Sequence, residues 1–166
     1  IVVAQDTTQY GVDIYDEPYL VPLLEKLTDI EGLKWIRVMY TYPERISDEL
    51  IQIIKREDKI CNYLDIPIQH SSRKIRKKMG REGSKDDIIN LVKRLRDAVP
   101  DITLRTSLIV GFPGEDETDF RNLHEFVKEI EFDRLGVFTY SKEEGTPASD
   151  MEKQVSEEIK DERYDI

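Results

Sequence analysis

Five apolar, β-branched runs separated by helix-patterned segments constrain the fold of this chain more than any other feature. They cover residues 1–5, 33–42, 63–69, 102–110 and 135–140. Their starts lie about thirty to forty residues apart, the length of one strand–helix–strand unit. Between them, Leu20, Leu23, Leu24, Leu27 and Ile30 share one helical face. Ser47 stands as an N-cap before Asp48 and Glu49, and Leu50, Ile51, Ile53 and Ile54 supply a buried stripe. Ser84 with Asp87 has the spacing of a capping box before Ile88, Leu91, Val92 and Leu95, and Pro100 stops that helix. Phe120, Leu123, Val127 and Ile130 form the last stripe. Such alternation predicts an α/β fold, a parallel sheet with helices on its outer face. No G-x-G-x-x-G turn follows an early strand, so a dinucleotide-binding sheet is disfavoured. Polar residues gather instead at the end of every run, as in an enzyme barrel. Five strands cannot close one, so the expected architecture is an incomplete (β/α) barrel.

Composition narrows the class. The 166 residues suit one domain with a sizeable core. At 36% charged and 39% hydrophobic the chain is neither disordered nor fibrous, and no apolar run approaches a membrane span. The net charge of -10 disfavours wholesale wrapping by nucleic acid. Cys61 is the only cysteine. It can form no internal disulfide and cannot hold a zinc or iron–sulfur site by itself, and a reducing, cytoplasmic setting is expected. Residues 1–150 read as the barrel core. Residues 151–166 read as a charged helical segment whose only spaced apolar pair is Val155 and Ile159, leading towards a further domain. The chain is expected to be an internal portion of a longer protein, with residues 1–4 as an edge open to self-association.

The strand ends supply the candidate site. Gly111-Phe112-Pro113-Gly114 is a tight turn before a helix, where a phosphate could bind. Glu115, Asp116, Glu117 and Asp119 crowd that terminus, however, and favour a neutral, zwitterionic or cationic ligand. Gln69 and His70 end the third run; a lone histidine is more often structural than catalytic, but the strand-end position raises the functional reading to about even. Arg105 interrupts an apolar strand and needs a carboxylate or a ligand. His124 reads as solvated, and Cys61 as a small hydrophobe ahead of a strand. Residues 73–85 hold seven basic residues, Arg73, Lys74, Arg76, Lys77, Lys78, Arg81 and Lys85, against Glu82 alone. This is either a solvated helix face or a docking surface for an anionic macromolecule such as ribosomal or transfer RNA.

Taken in order, Ala4-Gln5-Asp6-Thr7-Thr8-Gln9-Tyr10-Gly11, Leu64-Asp65-Ile66-Pro67-Ile68-Gln69-His70-Ser71-Ser72, Met79-Gly80-Arg81, the stretch from Arg105 to Glu115 and Phe138-Thr139-Tyr140-Ser141-Lys142-Glu143-Glu144-Gly145-Thr146-Pro147-Ala148 resemble the methylthiotransferases of the radical S-adenosylmethionine (SAM) superfamily. Ala-Gln-Asp-Thr-Thr and Gln-His-Ser-Ser resemble the branch that modifies an aspartate of a small-subunit ribosomal protein, ribosomal protein twelve. The transfer-RNA branch usually carries Ala-Gln-Asn and Gln-Ser-Gly-Ser. The resemblance implies a six-stranded partial barrel, of which this chain supplies the second to sixth strands. It also implies SAM and [4Fe–4S] clusters in the parent protein. The cluster-binding loop and its cysteines are not among these residues, so no catalytic residue and no metal ligand is assigned here. The chain alone is expected to carry no cofactor and to be inactive. By motif position, Gln5, Asp6, Gln69, His70 and Arg105 would face a SAM and substrate cavity. Val110, Gly111 and Phe112 would lie along its adenine side. Expected partners are the ribosomal protein and, through Arg73, Lys74, Arg76, Lys77, Lys78 and Arg81, ribosomal RNA, with no membrane.

Overall fold

The computed structural model describes residues 1–166. In chain order it contains α1 (Val12–Tyr15), α2 (Leu20–Thr28), β1 (Ile36–Val38), α3 (Asp48–Arg56), β2 (Ile60–Asp65), α4 (Arg73–Lys78), α5 (Lys85–Ala98), β3 (Thr103–Val110), α6 (Glu117–Ile130), β4 (Arg134–Thr139) and α7 (Glu157–Asp165). The strands follow the order β1-β2-β3-β4, with β1–β2 and β2–β3 parallel. This is the sequential α/β arrangement that the alternation predicts. The chain forms two compact units, Ile1–Pro67 with Asn90–Arg105, and Ile68–Ile89 with Thr106–Ile166.

In the first unit, Ile36 and Val38 of β1, Ile60 and Leu64 of β2 and Leu104 of β3 are buried. On α3, Leu50, Ile51, Ile53 and Ile54 form the buried stripe, and Ser47 caps it by accepting from the Leu50 N–H. The run at 1–5 is not a strand. Val2 alone bridges to Val38, through Val2 N–H to Arg37 O and Met39 N–H to Val2 O. The run at 33–42 shortens to three strand residues. The third strand starts earlier than the apolar pattern indicates and ends at Asp65. Pro67 has no N–H to give the ladder, and the backbone rejoins β3 only at the Gln69–Leu108 bridge. Cys61 is therefore inside β2 and half-buried, rather than ahead of the strand.

In the second unit, the alternation along β3 buries Thr106, Leu108 and Val110. The Tyr140 N–H donates to Val110 O just past β4. Ile75, Phe112 and Tyr140 form a buried cluster with Met79, Ile109, Ala148 and Met151 around it. Ser84 and Asp87 make the reciprocal box at the start of α5: Asp87 N–H donates to Ser84 Oγ, and Ser84 N–H to Asp87 Oδ2. A second box, not anticipated in detail, caps α6 through Asp116 and Asp119. The C-terminal helix corrects one expectation. Its buried residues are Lys160 and Arg163, whereas Ile159 is exposed. The neighbouring surface offers a buried carboxylate and a glycine slot, which basic side chains with long methylene stems fill better than valine or isoleucine.

Candidate functional site

The first two strands and β3 each give way to a residue with left-handed backbone: Tyr40 (φ 56°), Gln69 (φ 66°) and Gly111 (φ 73°). For glycine this costs nothing, but for tyrosine and glutamine it is strained. Strain of this kind persists only where surrounding contacts over-determine it, and it concentrates at ligand-binding segments. All three lie in the polar strand-end clusters picked out from the sequence.

In the first unit the centre of the strand end is Asp65, fully buried. Its Oδ1 lies 2.6 Å from Arg105 Nη1, and the two residues are register partners on adjacent parallel strands. The Asp65 carboxylate raises the pKa of the Arg105 guanidinium above its already high value. Arg105 thus has the carboxylate partner that the sequence demanded, while its side chain keeps 32% of its exposure. Thr41 N–H and Oγ1–H both donate to Asp65 O, and Tyr40 N–H approaches Asp65 Oδ2 at 3.4 Å. Thr7 N–H donates to Tyr40 O, which ties the Gln5-Asp6-Thr7 segment to the same place. Gln5 is exposed. Asp6 is committed on both oxygens: Oδ1 accepts from the Thr8 N–H, and Oδ2 pairs with Arg45 Nη1 at 2.5 Å. Thr8 and Arg45 also line a cleft of about 430 Å³ with Tyr19, Leu20, Glu17 and Glu49.

In the second unit, Gln69 is half-buried and forms a three-residue turn in which His70 N–H donates to Ile68 O at 2.8 Å. Gln69 also pairs with β3 through its N–H to Ser107 O and its carbonyl from Ile109 N–H. His70 is fully buried. Its Nδ1 accepts from Ser72 N–H at 2.8 Å, and its Nε2 faces Glu115 Oε2 at 3.3 Å, off the line of a hydrogen bond. Glu115 accepts from Gly111 N–H at 3.0 Å and from Arg163 Nη1 at 2.6 Å.

The expected adenine side needs revision at the level of side chains. Val110 and Phe112 are buried, Phe112 in the cluster with Tyr140, and a Cβ at Gly111 would overlap the Lys160 side chain. What this turn can offer a ligand is backbone. The crowd of carboxylates at its helix is also largely consumed. Glu115 turns inward, while Asp116 and Asp119 share Lys74 at 3.0 and 2.5 Å. The Asp119 N–H and then Lys74 lower the Asp116 pKa to about 2.

The basic segment is likewise less available than its charge count indicates. Arg76 is buried, with Nη1 donating to Ile68 O and Nη2 to Glu82 O, so it is a structural residue and not a docking one. Lys74 is paired, Lys78 donates to Pro113 O, and Lys85 pairs with Glu129. Arg73 and Lys77 are exposed. His124 is half-buried and stacks on Phe120 rather than standing free in solvent. No three His, Cys, Asp or Glu residues come together in a way that could hold a metal ion, and Cys61 is alone. These residues therefore do not fit an iron–sulfur cluster. Asp65, Glu115, Lys160 and Arg163 were not singled out as site residues in the sequence. Only the need of Arg105 for a carboxylate pointed towards one of them.

A sequential parallel α/β sheet whose strand ends carry polar turns is the frame of a partial (β/α) barrel, and a family comparison narrows the class. Residues 4–127 match the model of the radical SAM superfamily, and the chain belongs to it. It is 58% identical over 163 residues to the ribosomal protein uS12 methylthiotransferase RimO of Acetivibrio thermocellus, covering 98% of this chain and 36% of that protein. It is 54% identical over 165 residues to RimO of Clostridioides difficile, covering 99% and 37%. The chain thus spans little more than a third of the curated relatives it matches. Among solved structures it resembles the radical SAM enzyme coproporphyrinogen III oxidase (HemN) of Escherichia coli, with a TM-score of 0.65 at 20% identity over 87% of this chain and 33% of that one. It also resembles archaeal Elp3 of Methanocaldococcus infernus, at 0.61 and 19% over 78% and 31%. These two likenesses support the fold alone.

Proposed function

We propose that the chain supplies most of the SAM and substrate wall of a radical SAM methylthiotransferase that attaches a methylthio group to the β-carbon of an aspartate in ribosomal protein uS12. The observation that carries this reading is the 58% identity over nearly the whole chain. SAM, when bound in the whole enzyme, supplies the radical chemistry. The share of this chain is placement. In the first unit the exposed Gln5 and the half-buried Arg105, and in the second the half-buried Gln69, would each bind SAM or the substrate. Asp6 and His70 hold those ends in shape from behind. Val110, Gly111 and Phe112 present backbone rather than side chains to the adenine, and their packing keeps water from the reacting groups. We assign the enzyme to the cytoplasm, where its ribosomal substrate would be; no helix is long and apolar enough to cross a membrane. Arg73 and Lys77, exposed on α4, would carry contact with ribosomal RNA.

A chimera tests the reading. These residues would replace the matching segment of the A. thermocellus RimO, and mass spectrometry would follow methylthio addition to uS12. Modification at the aspartate is expected. A folded, cluster-loaded chimera that leaves uS12 unmodified, or modifies transfer RNA instead, would overturn it.

A further inference from the structure

The Gln69 turn is strained, and its neighbour His70 has both ring nitrogens aimed at specific groups. Because Nδ1 accepts the Ser72 N–H, that nitrogen carries no hydrogen, and in the neutral ring the proton resides on Nε2. Nε2 faces one oxygen of Glu115, a side chain with no exposure of its own. A carboxylate buried this deeply needs compensation. It receives it from the Gly111 N–H and from Arg163 on α7, which is itself 7% exposed and lies over the Phe120 ring. The same helix lays the Lys160 methylenes against Gly111 and its ammonium over the Tyr140 ring. One buried carboxylate therefore joins three separate pieces of backbone: the left-handed turn at 69–70, the left-handed turn at Gly111, and α7.

We propose that Glu115 and Arg163 are positioning residues. Their buried ion pair holds a Glu115 oxygen opposite His70 Nε2, where it acts together with the Ser72 N–H to favour the Nε2-protonated tautomer, and it ties the two strained strand ends to α7, so that α7 is part of the ligand-binding wall's support. This rests on the reading that residues 69–72 serve that wall, but the physical claim stands apart from it. With Arg163 removed, the Glu115 charge loses its main partner and the carboxylate no longer has one preferred orientation. With Glu115 made leucine, Gly111 N–H, His70 Nε2–H and Arg163 Nη1 all lose the oxygens they face.

The test uses long-range 15N–1H spectra of the imidazoles in the 166-residue chain, with amide exchange at Gly111 followed alongside. His124 is the internal reference and is identified by its loss in His124→Gln. The wild type should show His70 as a single Nε2–H tautomer. Glu115→Leu and Arg163→Met should average the His70 tautomers and speed Gly111 exchange by about tenfold or more, while His124 stays unchanged. Arg163→Lys keeps the charge and should keep the tautomer, which preserves the test if the methionine variant does not fold. A wild-type His70 showing both tautomers overturns the proposal. So does retention of the signature in folded Glu115→Leu or Arg163→Met, or its loss in folded Arg163→Lys. None of these readouts depends on SAM binding, so failure of the chimera and failure of this pair are distinguishable.

Discussion

Arg105 shows how much one residue can carry. A guanidinium in an apolar strand requires an anion, and the parallel register places Asp65 directly beside it. Removing the arginine leaves a fully buried carboxylate with only the distant Tyr40 N–H as compensation. Arg105→Met is therefore expected to lower the unfolding free energy by about 3 kcal/mol or more in urea titrations. Adding Asp65→Asn should recover part of that loss, because the uncompensated charge is then gone. Asp116 supports a prediction about pH. Its pKa falls from the ordinary carboxylate range to about 2 because the Asp119 N–H and Lys74 favour its charged form. A depressed carboxylate contributes stability above its unfolded pKa and loses that contribution as pH falls through the folded one. The midpoint difference between wild type and Asp116→Asn should thus be constant above about pH 4 and shrink towards pH 2. Thermal melts along that series would check it.

At the scale of elements, helices whose ends carry their own side-chain caps were legible locally. Ser47 and the Ser84–Asp87 pair act within one turn, so their spacing alone indicates them. Ser47→Ala should cost about 1 kcal/mol, measured by chemical denaturation, with m unchanged. The strands were less legible. Apolar content marks the whole of residues 33–42, but pairing exists only at Ile36–Val38, because a ladder depends on the partner's backbone and not on local composition. The last helix was misread for a related reason: its partner is Glu115, and burial follows the partner. Gly111→Ala tests that packing. The new methyl would meet both a left-handed backbone and the Lys160 stem, so α7 should loosen. Limited proteolysis should then cut between Met151 and Ile166 faster than in the wild type.

For the whole molecule, charge and cysteine count bound the chemistry that this polypeptide can perform. Iron–sulfur ligation needs several converging thiolates, and Cys61 is single and lies within a strand. After anaerobic reconstitution the chain alone is expected to hold no stoichiometric iron or sulfide and to show no methylthio transfer. Iron and sulfide assays, together with mass spectrometry of uS12, check this; a stoichiometric [4Fe–4S] spectrum would contradict it. The exposed Ile1 and Val3 flank the single bridge at Val2, and size-exclusion chromatography across a concentration series would show whether copies associate there.

The α/β order, the Ser47 and Ser84–Asp87 helix caps and the polar turns that follow the strands are legible in the amino-acid sequence alone. All of these follow from periodicity, dihedral preference and contacts within a few residues. Its motifs also carried the family resemblance. Tertiary structure decided which polar residues face a ligand and which hold others in place. His70, Arg76, Glu115 and Arg163 are conspicuous polar groups in the sequence, and all are buried. Their roles depend in part on partners outside their own turn, such as Ile68 O, eight residues from Arg76, and Glu115, forty-eight residues from Arg163. A titratable side chain is assigned by the charge and hydrogen bonds around it, and those are fixed only when distant segments of the chain pack together.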